Sequence, residues 1–472
     1  MTTAIPPDAE PGWRDLLGQG RAPMVALILL GAWLGAADSL VTTTIMPNVG
    51  WALGGFAWFG WTASAFLTGT VVAGASAGWL SERVGLRAAM SLAGLVLALG
   101  CALTALAPDM AWFLAGRVLQ GVAGGWVLGL IYVAMATAFP PHHLPRLFAL
   151  TTSVWGVATF VGPLLGGLFA DAGIWRGVFW LFAGQALLFV GASLWLVPAR
   201  ARDDRHWQVP VVPLVLLTLA IASISAAGMV APLAAAGLLG GGGALLVLAV
   251  RIDLHGGNGL LPAQIRATGS PLREAYIVYF MTNAAGVAFA LYGPTLLRTT
   301  MGLSGLAAGY VVASEAIAWT IVALAVSGAG ERWRRRCIVI GPSAILLGVA
   351  MQALVLGGES LPAVLISGAL LGGGFGVCYA FLGQRVMAML DAGETARGSG
   401  AIAAVRSAGG AVGAAVASIG ANAAGFAQGL DAGRAPAVAL AAFGVSLPFA
   451  LWALIAAVRL IRSGPLRAAP GA

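Results

Sequence analysis

Lysine is absent: all 25 basic side chains of the 472-residue chain are arginine, and charged residues of both signs make up only 9% of it. Soluble domains carry about 25% charged residues, so a water-soluble body of this size is excluded. Histidine is scarce, and His142, His143, His206 and His255 all lie between apolar runs. That placement argues against a histidine proton relay or a zinc site within a membrane. Cys101, Cys337 and Cys378, the three cysteines, lie within or at the edges of apolar runs. Their spacing suits neither a metal site nor a disulfide framework. Residues 1–21 lack the apolar core of a signal peptide and hold Glu10, Asp15 and three prolines instead. They read as a cytosolic tail, with the first apolar run as the insertion signal.

What the chain has in quantity is apolar length. It is 60% hydrophobic with a mean hydropathy of +0.92. Its apolar runs recur near the ~20 residues that cross a hydrocarbon core as a helix. Runs such as SLAGLVLALGCALTALA do not alternate, which excludes a membrane β-barrel. The fold class is therefore an all-α membrane protein. Spans are read at 22–46, 58–80, 87–107, 111–138, 146–169, 176–198, 210–228, 232–250, 273–297, 304–328, 336–357, 362–390, 398–423 and 436–460. The pair 210–228 and 232–250 is joined only by Met229, Val230 and Ala231. With the N-terminus in the cytoplasm, nineteen arginines fall inside, three outside (Arg176, Arg298, Arg434) and three within spans (Arg117, Arg385, Arg406). The positive-inside rule then places both termini inside, and the net charge of +8 reports orientation rather than a nucleic-acid partner. Twelve spans would give the same orientation; the length and apolarity of 210–250 decide for fourteen. The organisation expected is a tail over 1–21, a six-helix bundle over 22–198, a connector over 199–272 with two extra helices, a second bundle over 273–460, and a tail over 461–472. The Gly-rich, polar stretch 251–272 reads as a flexible or amphipathic linker.

Several motifs stand in phase with these spans. Gly78 to Met90 reads GWLSERVGLRAAM. Gly78 and Gly85 permit a sharp turn and close helix approach, while Arg83 and Arg87 can hold a neighbouring helix end through its carbonyls or an acid. The segment resembles the major facilitator loop pattern G-x-L-a-D-R-x-G-R-R, with Glu82 for the usual Asp and Leu86 for the first paired basic residue. A worn copy, SGAGERWRRR with Glu331, Arg332, Arg335 and Arg336, sits at the matching place in the second half. The fourth span opens RVLQGVAGG, where Arg117, Gln120 and Gly121 match R-x-x-Q-G. Arg117 and Gln120 are three apart and share a helix face. The fifth span holds GVATFVGPLLGG, with the G-P-x-x-G-G of the antiporter motif at Gly162, Pro163, Gly166 and Gly167. Pro163 removes a backbone donor and kinks the helix, and the glycines allow tight approach of a partner. In the first span, AADSLVTTTIMP keeps the Asp38 and Pro47 of l-D-x-T-i-v-N-v-A-l-P and departs from it at Leu40 and Thr43. WRGVFW (Trp175 to Trp180) and RSAGGAVG (Arg406 to Gly413) also resemble segments of the fourteen-helix drug:proton antiporters that carry this pattern. Over nearly its whole length the sequence resembles the major facilitator superfamily, and in these details its fourteen-helix drug:proton antiporter branch, the EmrB/QacA-like exporters.

That resemblance implies two bundles rocking about a midplane site, small-molecule substrate and protons as partners, no cofactor, and a monomer in a bacterial inner membrane. Of the 17 acidic residues, only Asp38 and Glu315 fall deep inside a span, where an ionised carboxylate costs at least ~2.5 kcal/mol on insertion scales. The resemblance makes spans one and four neighbours at a central cavity. Asp38 and Arg117 lie within ~5 Å of the same depth, counted from the helical rise. They are expected to interact, directly or through Gln120 or water, so that proton and substrate exclude one another; a permanent structural ion pair is the other reading. Glu315, with Trp319 one turn later, is a second proton site, a counter-charge for a cationic substrate, or a neutral acid bonded to a polar neighbour. Tyr276, Tyr279 and Asn283 share one face of span nine. Tyr276 reads as an interface anchor. Tyr279, Asn283, Thr42, Gln120 and Trp319 are the candidate substrate-cavity residues, and Arg406 joins the conformational motifs. GGGFG at Gly372 to Gly376 lies in an apolar span with no following Lys, so it serves helix contact rather than a nucleotide. The function expected is proton-coupled export of small amphiphilic molecules or drugs by alternating access. The rivals are an exporter of a specific metabolite or lipid and an uptake facilitator. An enzyme would need a polar cluster at one depth, and the sequence offers none.

Overall fold

A computed structural model describes residues 16–462, apart from 17, 19, 141–142, 200–208, 257–258, 268, 328–329 and 392–393. The outer parts of both expected tails, the connector 200–208, His142, His206 and the side chain of Glu331 therefore lie outside the described residues.

A backbone in hydrocarbon must satisfy its own hydrogen bonds, and each apolar run accordingly forms a helix. In chain order these are α1 (Ala22–Leu53), α2 (Phe59–Val84), α3 (Leu86–Ala105), α4 (Met110–Ala138), α5 (Leu144–Asp171), α6 (Arg176–Leu196), α7 (Val211–Ala227), α8 (Pro232–His255), α9 (Pro271–Met301), α10 (Gly305–Val326), α11 (Glu331–Val355), α12 (Leu361–Met389), α13 (Thr395–Ala423), α14 (Ala435–Gly444) and α15 (Leu447–Arg462). Among the described residues, thirteen segments are long and apolar enough to cross a membrane, α14 and α15 together making one of them. The apolar α7, at 17 residues, is shorter than these.

Helices of the first six pair as α1 on α5, α2 on α4, and α3 on both α4 and α6. The same pairs recur after the insert: α9 on α13, α10 on α12, and α11 on both α12 and the α14–α15 span. The two sets meet where α2 faces α13 and where α5 faces α10. Below, the end of the molecule where α1 begins is called proximal and the opposite end distal.

Three sequence expectations are corrected in detail. The first helix does not stop before Pro47 but runs to Leu53, ending at Gly54 in the left-handed conformation (φ 65°). A proline costs one hydrogen bond, and neighbouring helices make that tolerable within a membrane bundle. The last span is broken at Val445 and Ser446, because the ring of Pro448 would collide with the carbonyl one turn earlier. Part of the 251–272 linker is ordered: Asp253 accepts the backbone N–H groups of Leu260 (2.7 Å) and Leu261 (2.9 Å), and Ile265 is buried.

The insert reaches from end to end. At the distal end, Asn422 Nδ2 donates to the carbonyls of Ala57 (3.0 Å) and Gly228 (3.2 Å), tying the turn after α7 to the start of α2 and the end of α13. At the proximal end, Ala263 N donates to Glu394 Oε2 at 3.3 Å. Leu214, Leu217, Ile221 and Ile224 of α7 pack with Val71 of α2 and Ala408, Ala411 and Val412 of α13. The first of the insert's helices thus covers the α2–α13 seam.

Candidate functional site

The centre of the first half is built on glycine. A Cβ on Gly121 would lie 2.2 Å from the Phe66 carbonyl oxygen, and one on Gly125 2.4 Å from that of Thr70. Only glycine therefore lets α4 lie backbone to backbone on α2, which presents Arg117 and Gln120 to α1 and α3. Arg117 Nη1 donates to Asp38 Oδ2 at 2.8 Å, with both residues buried. The same nitrogen donates to Gln120 Oε1. Gln120 Nε2 donates to Thr104 Oγ1 (3.0 Å), which donates to the Gly100 carbonyl (2.8 Å). The guanidinium also lies over the Phe66 ring, 4.4 Å from its centroid. The expected contact is therefore direct, with Gln120 as a second acceptor.

The pair is incompletely satisfied. Asp38 Oδ1 and Arg117 Nε are buried without a hydrogen-bond partner. A buried ion pair with unmet groups is a weak source of stability. A crevice too small to admit a water molecule, lined by Gly35, Asp38, Phe66, Gln120 and Gly124 among others, adjoins it. Thr42, one turn along α1, is buried.

The second half places its polar groups differently. Asn283 Nδ2 donates to the Tyr279 carbonyl (2.8 Å) and to Tyr379 Oη (2.6 Å), and Thr282 Oγ1 lies 2.6 Å from the same hydroxyl. The rings of Tyr279 and Tyr379 meet edge to face at 4.8 Å, and Trp319 stacks on Phe375 at 5.1 Å. Tyr379, Phe375 and Thr282 were not singled out from the sequence; inside an apolar helix nothing distinguishes them from core. Glu315 occupies the middle of α10, half-buried. A Cβ on Gly372 would sit 1.8 Å from the Glu315 carbonyl oxygen, so the GGGFG run is where α12 meets α10. Tyr276 is no interface anchor: it is buried and its hydroxyl donates to the Gly398 carbonyl at 2.7 Å.

The loop motifs hold helix ends. Gly85 adopts φ 85° between α2 and α3, and Arg87 Nε donates to the Val197 carbonyl just past α6. In the second half Arg335 Nη2 donates to the Ile461 carbonyl at 2.6 Å. The two bonds are equivalent, each joining the start of a half's third helix to the end of its last. Arg335 makes this contact and Arg332 is exposed, so the motif's weight shifts by one turn. Arg83 lies 5.7 Å from the Trp79 ring centroid. Gly78 is half-buried on α2, and Glu82 keeps a buried Oε2 without a hydrogen bond.

The Gly162–Gly167 segment lies on the seam between the halves. Cβ atoms on Gly162 and Gly166 would meet Leu40 (2.7 Å) and Thr44 (2.8 Å) of α1, and one on Gly167 would sit 2.4 Å from Leu306 Cα of α10. Pro163 faces Gly309 there. Just distal to it, Asp171 accepts the backbone N–H groups of Gly305 (2.6 Å) and Leu306 (3.2 Å), the first turn of α10. Asn48 Nδ2 donates to the Ala170 carbonyl (2.8 Å), and Arg298 of α9 donates to Asn48 Oδ1. Phe56, Phe59, Tyr292 and Phe426 interlock beside them. This distal closure between halves was not anticipated.

Comparison with known proteins agrees with this architecture. A probable multidrug-efflux transporter of Mycobacterium tuberculosis is 30% identical over 426 residues, covering 86% of this chain and 89% of that one. The crystal structure of a peptide transporter superposes with a TM-score of 0.66 at 17% identity, covering 93% of this chain and 95% of that one. That of a nucleoside transporter superposes with a TM-score of 0.61 at 14% identity, covering 93% and 98%. The sequence profile of the Major Facilitator Superfamily matches residues 28–414, and the chain, an all-α membrane transporter and not an enzyme, belongs to that superfamily.

Proposed function

We propose that the protein is a proton-coupled exporter of small amphiphilic molecules, of the fourteen-helix antiporter kind. It works by alternating access between six-helix bundles at 22–198 and 273–460. Both termini face the cytoplasm of a bacterial inner membrane, and the monomer is the working unit. The observation that carries the reading is the buried Asp38–Arg117 pair with one carboxylate oxygen left without a partner. A proton on Asp38 removes the charge that holds Arg117 and frees the guanidinium and Gln120 to rearrange. Substrate and proton then compete for one state of one site, as exchange requires. The efflux name of the mycobacterial relative supports the outward direction.

The test is flux in proteoliposomes with an imposed pH gradient and no membrane potential. Labelled amphiphiles should move against the proton gradient, and nigericin should stop them. Movement in the proton's own direction would establish the uptake reading instead. Saturable movement of a single metabolite, with no amphiphile carried, would establish the specific exporter.

The distal closure gives a second expected result. Asp171→Ala removes both acceptors from the first turn of α10, where backbone N–H groups favour an anion. The distal seam then opens more often. Ala308→Cys, buried in the first turn of α10 that Asp171 caps, should react several-fold faster with a membrane-impermeant maleimide in the Asp171→Ala background. Equal rates would mean that Asp171 is no latch.

A further inference from the structure

Arg406 is the counterpoint to Arg117. Both guanidinium groups sit within membrane helices, and both lie over aromatic rings. Arg117 has an aspartate, a glutamine and Phe66. Arg406 has only rings: its Cζ is 5.0 Å from the centroid of Tyr379 and 5.6 Å from that of Trp319. Among the described residues it forms no ion pair and no hydrogen bond, and its Nε is buried without a partner. Glu315, one turn before Trp319 on α10, forms no bond to it. The RSAGGAVG run explains how the arginine is held. Cβ atoms on Gly409 and Gly413 would lie 2.2 Å from the carbonyl oxygens of Phe280 and Ala284, so α13 lies directly on α9. Tyr379 is fixed in turn by Asn283 and Thr282. Arg406 was expected among the conformational motifs; its guanidinium lies against the aromatic wall of Trp319 and Tyr379.

An arginine held in a membrane without an anion is costly. Stacking on rings offsets part of that cost but leaves the hydrogen-bonding edge of the guanidinium unused, an edge shaped for a carboxylate or similar anion. We propose that Arg406 binds the anionic group of a transported aromatic amphiphile, whose ring system lies against Trp319 and Tyr379. The proposal rests on the exporter reading above and names its substrate class. It sets this wall apart from one that would select cations by ring faces alone.

The experiment uses two xanthene dyes of one skeleton, fluorescein with its free carboxylate and rhodamine 6G, a cationic ester. Binding is read by fluorescence polarisation on purified protein at fixed pH, and flux in the proteoliposomes described above. Arg406→Gln should weaken fluorescein binding about tenfold or more, the worth of a lost ionic hydrogen bond, while rhodamine binding stays within about twofold of wild type. Arg406→Lys, which keeps the charge and loses the fork, should fall between. An equal loss for both dyes in both variants would make Arg406 structural and overturn the proposal. So would unchanged fluorescein binding, or wild-type protein that binds rhodamine alone. Asp38→Asn separates the two readings. It should bind fluorescein and fail to carry it; if it carries the dye normally, proton coupling through Asp38 falls while the binding result stands.

Discussion

Asp38→Asn should reduce pH-driven export to the level of empty liposomes while the protein still folds. Asparagine keeps the shape of aspartate and an oxygen that can accept from Arg117, and Arg117 retains Gln120 Oε1 and the face of Phe66. The arrangement of side chains around Arg117 therefore persists. What disappears is the capacity to take up and release a proton. Locking a two-state element in one charge state removes the differential interaction by which a proton can bias it. Exchange of labelled for unlabelled substrate without a proton gradient should survive, because that process needs only the binding site and the rocking of the halves. The measurement is thus a ratio, driven export over equilibrium exchange. Wild-type driven export by Asp38→Asn would end the coupling proposal. Loss of exchange together with loss of the folded state, seen as aggregation on gel filtration, would support the permanent structural pair.

How much of this was legible in the sequence follows from the range of each interaction. Apolar length announced the helices, since a membrane backbone has no other economical arrangement, and the repeat of motifs in two halves announced the repeat of helix pairs. Arg117 and Gln120 were legible as one helix face because they are three residues apart. The junctions were less so: the continuation of α1 through Pro47 and the break before Pro448 depend on which neighbours receive the freed carbonyl. The distal closure was invisible. Asp171 meets Gly305 across 134 residues and Arg298 meets Asn48 across 250, and an exposed acid or arginine at a helix end looks like any other loop charge. The aromatic wall was half legible. Tyr279, Asn283 and Trp319 stood out as polar or amphipathic groups in apolar helices. Tyr379 and Phe375 did not, because a ring inside an apolar run is ordinarily core. Arg406 was read as a motif residue within a span; that its neighbours are rings and not an acid could not be read from its own helix, which carries no acid.

Removing Arg117 should damage the fold more than removing both members of the pair. In Arg117→Ala the Oδ2 of Asp38 loses its donor, and Oδ1 has none to begin with. The variant thus holds a carboxylate in the bundle interior with nothing to neutralise it. Breaking one side of a buried pair typically costs about 3–5 kcal/mol, whereas replacing both sides by uncharged groups is often close to neutral. The acid has one escape, to take a proton, which limits the loss. Arg117→Ala should therefore melt lowest in detergent. Asp38→Asn with Arg117→Ala should recover much of the loss. The recovery on adding a second mutation is the decisive quantity, since independent sites would give additive losses. Raising the acidity of the buffer should rescue Arg117→Ala selectively, because protons supply what the guanidinium no longer does, and should leave the double variant unmoved. Additive losses with no such rescue would mean that the two side chains, though 2.8 Å apart, do not share an energy. The site that exchanges proton for substrate would then have to be sought at Glu315 and the aromatic wall of the second half.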